Sequence, residues 1–298
     1  MANITVSEQV HTFLSSTIDV SAKADQATTY TKAEVDVKID STAYAWAQIG
    51  TDIDGEAAGD RSGQSVSMNA AGDIVAIGVV LNDGNGTDSG HVKAYQNVAG
   101  TWIQIGADID GEADIDYSGQ SVSMNAAGDI VAIGAKYNGG NGNDSGHVRV
   151  YQNIGGTWTQ VGADIDGEAV DDQSGISVSM NAAGDIIAIG AYRNDDNGDN
   201  SGHVRVYQNV GGTWTLIGDD IDGEASYDYS GQSVSINAAG DIVAIGAQHN
   251  DGNGSASGHV RIYHDSTKPI YTLQSTSSEV NEGESFTITL NTENPING

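Results

Sequence analysis

The sequence has no cysteine, two prolines and few basic residues among its 298 positions. Without cysteine, the chain can form no disulfide bond and no thiolate metal site. Its 11 Lys and Arg residues are outnumbered by 41 Asp and Glu residues, which gives a formal net charge of -30. This balance argues against nucleic acid and anionic membranes as partners, because phosphate contacts require a basic stripe.

Long apolar runs are also absent from the sequence. No stretch of 18 consecutive apolar residues occurs, so we expect no membrane insertion. Residues 1–20 contain no Lys or Arg and no long apolar core, unlike a secretory signal. The chain is therefore not expected to enter or cross a membrane by a helical segment.

A long internal repeat is the main positive feature of the chain. Trp46, Trp102, Trp158 and Trp214 follow one another at intervals of 56 residues, and each begins a near-copy of the same segment. A period of this length corresponds to one supersecondary unit. Within each copy, short apolar runs alternate with clusters of Gly, Asn, Asp and Ser, a pattern typical of strands and tight turns.

Each copy is predicted to form four strands. In the second copy these are expected at 120–125, 129–135, 146–153 and 157–162. The second strand is continuously apolar, as in a strand covered on both faces. The third alternates Val148 and Val150 with Arg149 and Tyr151, which predicts greater exposure, and the fourth is polar and is expected at the outer edge. Four strands in about 50 residues match the size of one propeller blade.

The repeats predict an all-β fold, a four-bladed β-propeller at residues 45–269. The first copy begins with an extra outer strand at 45–50, whereas the last copy supplies only three strands. We expect 45–50 to pair beside 258–264, which would close the ring and remove its exposed edges. In the alternative, residues 270–273 complete the last blade.

The repeat resembles the FG-GAP blade of integrin α-subunit propellers and their bacterial relatives. In the second copy the matching segments are SGQSVS at 118–123, DIVAIGA at 129–135 and GHVRVY at 146–151. The resemblance covers about 220 residues and implies a propeller fold. Ser118 replaces the family's Phe, and the short loop 124–129 replaces its calcium loop, so that calcium site cannot be transferred here. The four copies also differ from the seven blades of integrin propellers.

An acidic motif, D-x-D-G-E-x-x-x-D, follows the predicted outer strand in every copy. Alternating carboxylates around a glycine turn can provide the oxygen ligands that calcium requires. Alternatively, these residues only build and cap the turn. The candidate calcium ligands are Asp52, Asp54, Glu56, Asp60, Asp108, Asp110, Glu112, Asp116, Asp164, Asp166, Glu168, Asp172, Asp220, Asp222, Glu224 and Asp228.

Histidines recur as well, at His91, His147, His203 and His259, each directly after Ser-Gly at a predicted strand start. A ring of metal ligands is one reading, but the position favours a structural hydrogen bond within the blade. Nearly every polar group is repeated in this way, whereas an active site requires an asymmetric set of unlike groups. The pattern predicts a protein that is not an enzyme, with a propeller glycosidase as an alternative.

The copies differ from one another mainly after the acidic turn and after the second strand. In an up-and-down blade, the loops at these two places emerge on the same face. Aromatic side chains on such a face are suited to stack on sugars or to anchor a protein partner. The predicted receptor-binding residues are Arg61, Tyr117, Tyr137, Tyr192, Arg193, Tyr229 and His249.

The two flanking segments carry resemblances of their own. Residues 27–39, ATTYTKAEVDVKI, resemble a phrase in the N-terminal parts of phage tail fibres, within a segment 1–44 that we expect to be partly helical. Residues 280–290, VNEGESFTITL, resemble the opening strands of a Calx-β module, so 270–298 is expected to begin a β-sandwich or to form a packing tail.

The tail-fibre resemblance implies a virion protein, a tail fibre or related appendage, that is assembled in the host cytoplasm. Residues 1–44 would then attach to other virion proteins and form a homo-trimer. The propeller would bind a host surface glycan or glycoprotein. The alternatives are an extracellular, calcium-dependent cell-surface adhesin and a structural spacer within the virion.

Overall fold

The computed structural model describes residues 46–268, together with the backbone of two strands at 270–275 and 288–293. The expected partly helical segment 1–44 and most of 270–298 lie outside the described residues. Within the described part every regular element is a strand. No helix there is long and apolar enough to span a membrane.

Each copy forms one antiparallel sheet. The strands of the first sheet are β1 (Ser62–Met68), β2 (Ile74–Val79), β3 (His91–Val98), β4 (Thr101–Gln104) and β5 (Ile109–Asp110). Those of the second are β6 (Ser118–Met124), β7 (Ile130–Ala135), β8 (His147–Ile154), β9 (Thr157–Gln160) and β10 (Ile165–Asp166). Those of the third are β11 (Ser177–Met180), β12 (Ile186–Ala191), β13 (His203–Val210), β14 (Thr213–Leu216) and β15 (Ile221–Asp222). The fourth contains β16 (Ser230–Ile236), β17 (Ile242–Ala247) and β18 (His259–His264).

These four repeated sheets form a β-propeller-like arrangement, as the sequence pattern predicts. The strands of the second copy begin and end within two residues of their expected bounds. A short fifth strand was not expected. It comes from the Asp-Ile-Asp part of the acidic motif, and it pairs with the first half of the third strand while β9 pairs with the second half.

The prediction of an exposed third strand is wrong. Val148 and Val150 are fully buried, and Arg149 on the opposite face is 7% exposed. The valines lie in a core with Val178 of the next sheet, and the Arg149 side chain contacts Glu112 in the acidic turn that follows the preceding sheet. Both faces of the third strand are therefore covered by neighbouring parts of the array. The alternation of residues within one strand cannot indicate such contacts between sheets.

Successive sheets pack so closely that glycine is required between them. A Cβ atom on Gly134 would overlap the carbonyl oxygen of Gly175 in the next sheet. The Ser121 hydroxyl donates to that same oxygen at 2.8 Å, and the equivalent Ser65 donates to Gly119 at 2.7 Å. The same contacts thus recur from one pair of sheets to the next.

Neither predicted closure of the ring occurs in the described residues. Residues 46–50 form no strand, and β18 pairs only with β17. The carbonyl of Ile49 instead accepts a hydrogen bond from the Trp102 indole at 2.9 Å, as Ile105 does from Trp158 at 2.8 Å. Ile49 and Gly50 therefore contact the first sheet in the same way as Ile105 and Gly106 contact the second.

The strand expected to complete the last blade in the alternative closure also pairs elsewhere. β19 (Ile270–Ser275) pairs with β20 (Ile288–Glu293) in a two-stranded sheet of its own. The fourth sheet consequently contains three strands. Both ends of the array present apolar sheet faces to solvent: Val66 and Met68 are 65% and 52% exposed, and Val260 and Ile262 are 67% and 71% exposed.

Candidate functional site

The variable positions of the copies lie side by side in one row. The Tyr117 and Tyr137 rings meet edge to face with centroids 5.0 Å apart, and Tyr229 contacts His249 in the same way at 5.0 Å. Tyr192 of the third sheet reaches Tyr229 of the fourth, with centroids 5.6 Å apart. Positions that are well separated in sequence thus form one surface. We call it the aromatic row, and it consists of Tyr117, Lys136, Tyr137, Gln173, Tyr192, Arg193, Tyr229 and His249.

Cationic side chains lie over the rings of the aromatic row. The Lys136 ammonium is 4.7 Å from the Tyr137 centroid, and the Arg193 guanidinium is 5.6 Å from that of Tyr192. Partial burial lowers the pKa of Lys136. The row is therefore aromatic and locally basic on an otherwise acidic protein, with partly buried tyrosines and with Arg193 and His249 exposed.

The variable residue after the acidic turn has a left-handed backbone conformation in every copy. Arg61, Tyr117, Gln173 and Tyr229 have φ between 54° and 56°. Such a conformation costs energy for residues other than glycine and is concentrated at functional sites. Arg61 has this backbone and is exposed at the corresponding place in the first sheet.

The last Asp of each acidic motif supports the aromatic row. The buried Asp116 carboxylate accepts hydrogen bonds from the Ala113 amide and the Asn138 side chain, both at 3.0 Å. These bonds hold the turn before Tyr117 against the loop that carries Tyr137. Asp60, Asp172 and Asp228 make the same pair of bonds. For these four residues the geometry is that of a turn cap.

Several of the remaining acidic positions lie beside the recurrent histidines. His147 Nδ1 is 3.8 Å from Glu112 Oε2 and 3.8 Å from Asp164 Oδ2. Glu112 follows β5 of the first sheet, whereas His147 and Asp164 belong to the second. We call such groups the His–Glu–Asp clusters: Glu56, His91 and Asp108; Glu112, His147 and Asp164; Glu168, His203 and Asp220.

One acidic motif is therefore divided between two clusters. Asp108 faces His91, while Glu112, four residues later, faces His147. The middle acid, Asp110, is 4.0 Å from His91 Nδ1. The calcium site expected from the sequence would use the carboxylates of one acidic motif. The fold instead distributes these carboxylates between two clusters. Asp52, Asp54, Asp166 and Asp222 lie outside the three clusters.

His147 and His203 are neutral at pH 7 and poorly paired. Burial lowers the pKa of His147 and of His203 to about 4. In both residues Nδ1 is buried without a hydrogen-bond partner, so the structural hydrogen bond expected for these histidines is missing at that atom. Sequence reasoning could not find the clusters, because their members come from adjacent copies and meet only through the stacking of the sheets.

Basic side chains hold the carboxylates of the clusters. Arg205 pairs with Glu168 Oε1 and Asp220 Oδ1, each at 3.0 Å, and Arg149 pairs with Glu112 Oε1 at 3.1 Å. Burial raises the pKa of Glu112 and of Glu168. In Glu112, Glu168 and Asp220, one carboxylate oxygen is thus paired with an arginine, and the other faces the histidine.

Comparisons with known proteins give only distant similarity. No family model and no curated protein match the chain. A proposed 6-phosphogluconolactonase from Bacteroides uniformis is similar with a TM-score of 0.45 and 9% identity, over 67% of this chain and 49% of that one. Hydrazine synthase from Kuenenia stuttgartiensis is similar with a TM-score of 0.42 and 10% identity, over 67% and 57%. The chain thus spans about half the length of these two proteins, and the similarity bears on neither its chemistry nor its partners.

Proposed function

We propose that this chain is a non-enzymatic virion protein of a phage, a tail fibre or related appendage, that binds a glycan or glycoprotein on the host surface. The aromatic row is the proposed binding surface. The observation that carries the proposal is that, in the second to fourth copies, positions at which the copies differ bring aromatic and cationic side chains into contact.

The chemistry of the row suits carbohydrate. Sugar rings present apolar faces that stack on tyrosine, and their hydroxyl and carboxylate oxygens accept hydrogen bonds from cationic side chains. Lys136 and Arg193 supply such donors beside Tyr137 and Tyr192. These cations are notable in a chain with a net charge of -30, since the rest of its surface repels anionic groups.

The proposal is tested by replacing Tyr117, Tyr137, Tyr192 and Tyr229 with alanine in the full chain. The labelled protein is screened on an array of bacterial surface glycans and for adsorption to host cells. We expect binding to fall by about tenfold or more, because aromatic anchors dominate such interfaces. Circular dichroism and a melting curve check that the fold is retained.

A matched control changes the exposed alanines of the shared loops, with Ala127→Gln and Ala183→Gln. These substitutions should leave binding unchanged. Binding that survives loss of the tyrosines but disappears in the loop variant would place the binding surface on the other side of the sheets. A product released from a bound polysaccharide would favour the glycosidase alternative.

The assembly is proposed to be a homo-oligomer, a trimer by the resemblance of residues 1–44 to fibre proteins. The two ends of the array also suit self-association. Val66 and Met68 occupy the positions of Val122 and Met124, which are buried in the core with Ala76 and Val92 of the preceding sheet. At the other end, Val260 and Ile262 occupy the positions of the buried Val148 and Val150.

Each end thus carries one half of an interface that the chain already forms between its own sheets. We therefore propose that the end of one protein chain packs against the end of a second chain. Light scattering of the full chain should give a mass above that of a monomer, and Val260→Asp should reduce it. A monomer whose mass is insensitive to Val260→Asp would contradict association through the ends.

A further inference from the structure

We infer that the three His–Glu–Asp clusters are binding sites for a divalent first-row transition-metal ion such as zinc, each joining one copy to the next. This inference does not depend on the proposed receptor-binding function. It also differs from the calcium turn expected from the sequence, because the ligands come from two acidic motifs and include histidine.

The atoms of each cluster converge on a single point. Within every cluster one ligand atom per residue lies within 4.8 Å of each of the others. Metal–ligand distances of about 2.0–2.2 Å require neighbouring ligand atoms roughly 3.3 Å apart. In the second cluster both carboxylate oxygens are 3.8 Å from His147 Nδ1. The Glu112 and Asp164 side chains are partly exposed, so closing this gap needs only small side-chain rotations.

The unpaired histidine nitrogens provide an independent observation. Buried polar atoms are normally hydrogen-bonded. Nδ1 of His147 and of His203 has no such partner, and the side chains of both residues are 2% exposed. At 3.8–3.9 Å the surrounding carboxylate oxygens are too distant for a hydrogen bond. In both of these clusters the two carboxylate oxygens are at the same distance from the histidine Nδ1. A cation bound by all three atoms fits this geometry better than a single hydrogen bond does.

Arginine fixes the orientation of the carboxylates in the third cluster. Arg205 binds Oε1 of Glu168 and Oδ1 of Asp220, while Oε2 and Oδ2 of the same groups lie 3.9 Å from His203 Nδ1. Outer partners of this kind commonly orient metal ligands. One oxygen of each carboxylate is thereby left to face the histidine.

The charges in the third cluster favour a divalent ion. Asp196 Oδ2 is also 4.0 Å from His203 Nδ1, which gives three carboxylates against one guanidinium. We therefore expect the third cluster to bind most tightly.

The ligand set indicates which class of ion would bind. Calcium and magnesium prefer all-oxygen sites, whereas an imidazole nitrogen with carboxylates suits zinc, manganese or cobalt. In the first cluster a lysine, Lys93, replaces the arginine and contacts both Glu56 and Asp108. Its ammonium is 3.5 Å from Asp108 Oδ2, the oxygen that faces His91, and the nitrogen of His91 that has no partner is Nε2, so we expect the first cluster to bind most weakly.

The fourth copy is an internal control. His259 Nδ1 lies 3.7 Å from Glu224 Oε2, but no carboxylate of a following acidic motif is present among the described residues. His259 is also less buried than its three counterparts, with 27% of its side chain exposed. We expect no tight site there.

Cobalt provides a direct test on the full chain after treatment with a chelator and dialysis. Titration with Co²⁺ should give visible absorption bands that saturate at up to three ions per chain, and calorimetry with Zn²⁺ should give the same number. His203→Gln and Asp220→Asn should each remove the tightest site, while His259→Gln should leave the titration unchanged. If His203→Gln does not fold, Asp220→Asn alone decides for the third cluster.

Several outcomes would overturn the inference. These are the absence of cobalt bands and of zinc-binding heat at millimolar metal, an unchanged titration in Asp220→Asn, and calcium binding without zinc or cobalt binding. Loss of a site in His259→Gln would also contradict it, because that change lies outside all three clusters.

Discussion

The inner sheets and the end sheets contain nearly the same residues but have different environments. Val122 and Met124 of the second sheet are buried, while the same pair in the first sheet, Val66 and Met68, faces solvent. Val148 and Val260 differ in the same way. One copy therefore does not form a core by itself. As in other repeat proteins, stability arises largely from the interfaces between neighbours.

Beside the fourth sheet, the missing outer strand leaves a visible gap. Trp158 packs against the core between the first and second sheets. Trp214 packs against the core between the second and third sheets. No tryptophan packs between the third and fourth sheets, where a cleft of about 680 Å³ is lined by residues that include Leu216 and Tyr263. Among the described residues no further sheet packs against this end, and that is why it differs from the inner sheets although its own sequence has changed little.

The largest expected effect on stability concerns an aspartate introduced at two matched positions, one buried and one exposed to solvent. Val148→Asp buries a carboxylate in the core and should prevent stable folding, because an unpaired buried charge costs several kcal/mol. Val260→Asp, at the equivalent solvent-facing position, should change the free energy of unfolding of the monomer by less than about 0.5 kcal/mol. Urea denaturation measures both, and equal effects would remove the distinction between inner and end sheets.

The next effect concerns acid sensitivity in metal-free protein. The pKa of His147 is lowered from 6.5 to about 4 in the folded state, so the unfolded chain takes up the proton first as pH falls. The His147 contribution is therefore complete above about pH 6.5 and is lost between pH 6.5 and about 4. Its size is roughly 3 kcal/mol, at about 1.4 kcal/mol per pKa unit.

Denaturation at pH 7 and at pH 4.5 tests this difference. The loss of stability should be smaller in His147→Gln than in the wild type, while His259→Gln should follow the wild type. The raised pKa of Glu112 acts in the opposite direction near its own titration range, so the comparison is made between variants at each pH. Parallel curves for wild type and His147→Gln would refute the expectation.

A smaller effect is expected at the glycines between sheets. Gly134→Ala places a methyl group against the Gly175 carbonyl and should destabilise by about 1–3 kcal/mol. The equivalent Gly246 meets only Ser233 of its own sheet, so Gly246→Ala should cost clearly less. Thermal unfolding of the two variants decides between these outcomes, and a reversed order would show that the last sheet is covered in solution.

The smallest expected effect is the loss of one hydrogen bond between sheets. Ser121→Ala removes the bond to the Gly175 carbonyl and should cost about 1 kcal/mol. At the matched Ser233, which is exposed, alanine should have almost no effect. Paired urea curves measure the difference, and a cost at Ser233 equal to that at Ser121 would mean that another chain contacts it.

Much of the fold follows from the repeat, but the relations between copies do not. Strand positions were predictable because apolar runs and turn residues act locally, as in β6 to β9. The burial of Arg149 was not predictable, because Glu112, which contacts it, lies in the acidic turn that follows the preceding sheet. The His–Glu–Asp clusters were missed for the same reason. The aromatic row was predictable because two variable loops must emerge on one face of a blade.

The bonds between copies impose a rule on the length of the chain. The Ser65 hydroxyl contacts a residue 54 positions ahead, the Met124 amide one 57 positions back, and the Trp102 indole one 53 positions back. Inserting or deleting one whole copy keeps all of these partners in register, whereas a change of length within a strand separates them. Recombination between copies therefore changes the length of such a chain in steps of 56 residues. Each added step would lengthen the aromatic row by one position and add one His–Glu–Asp cluster.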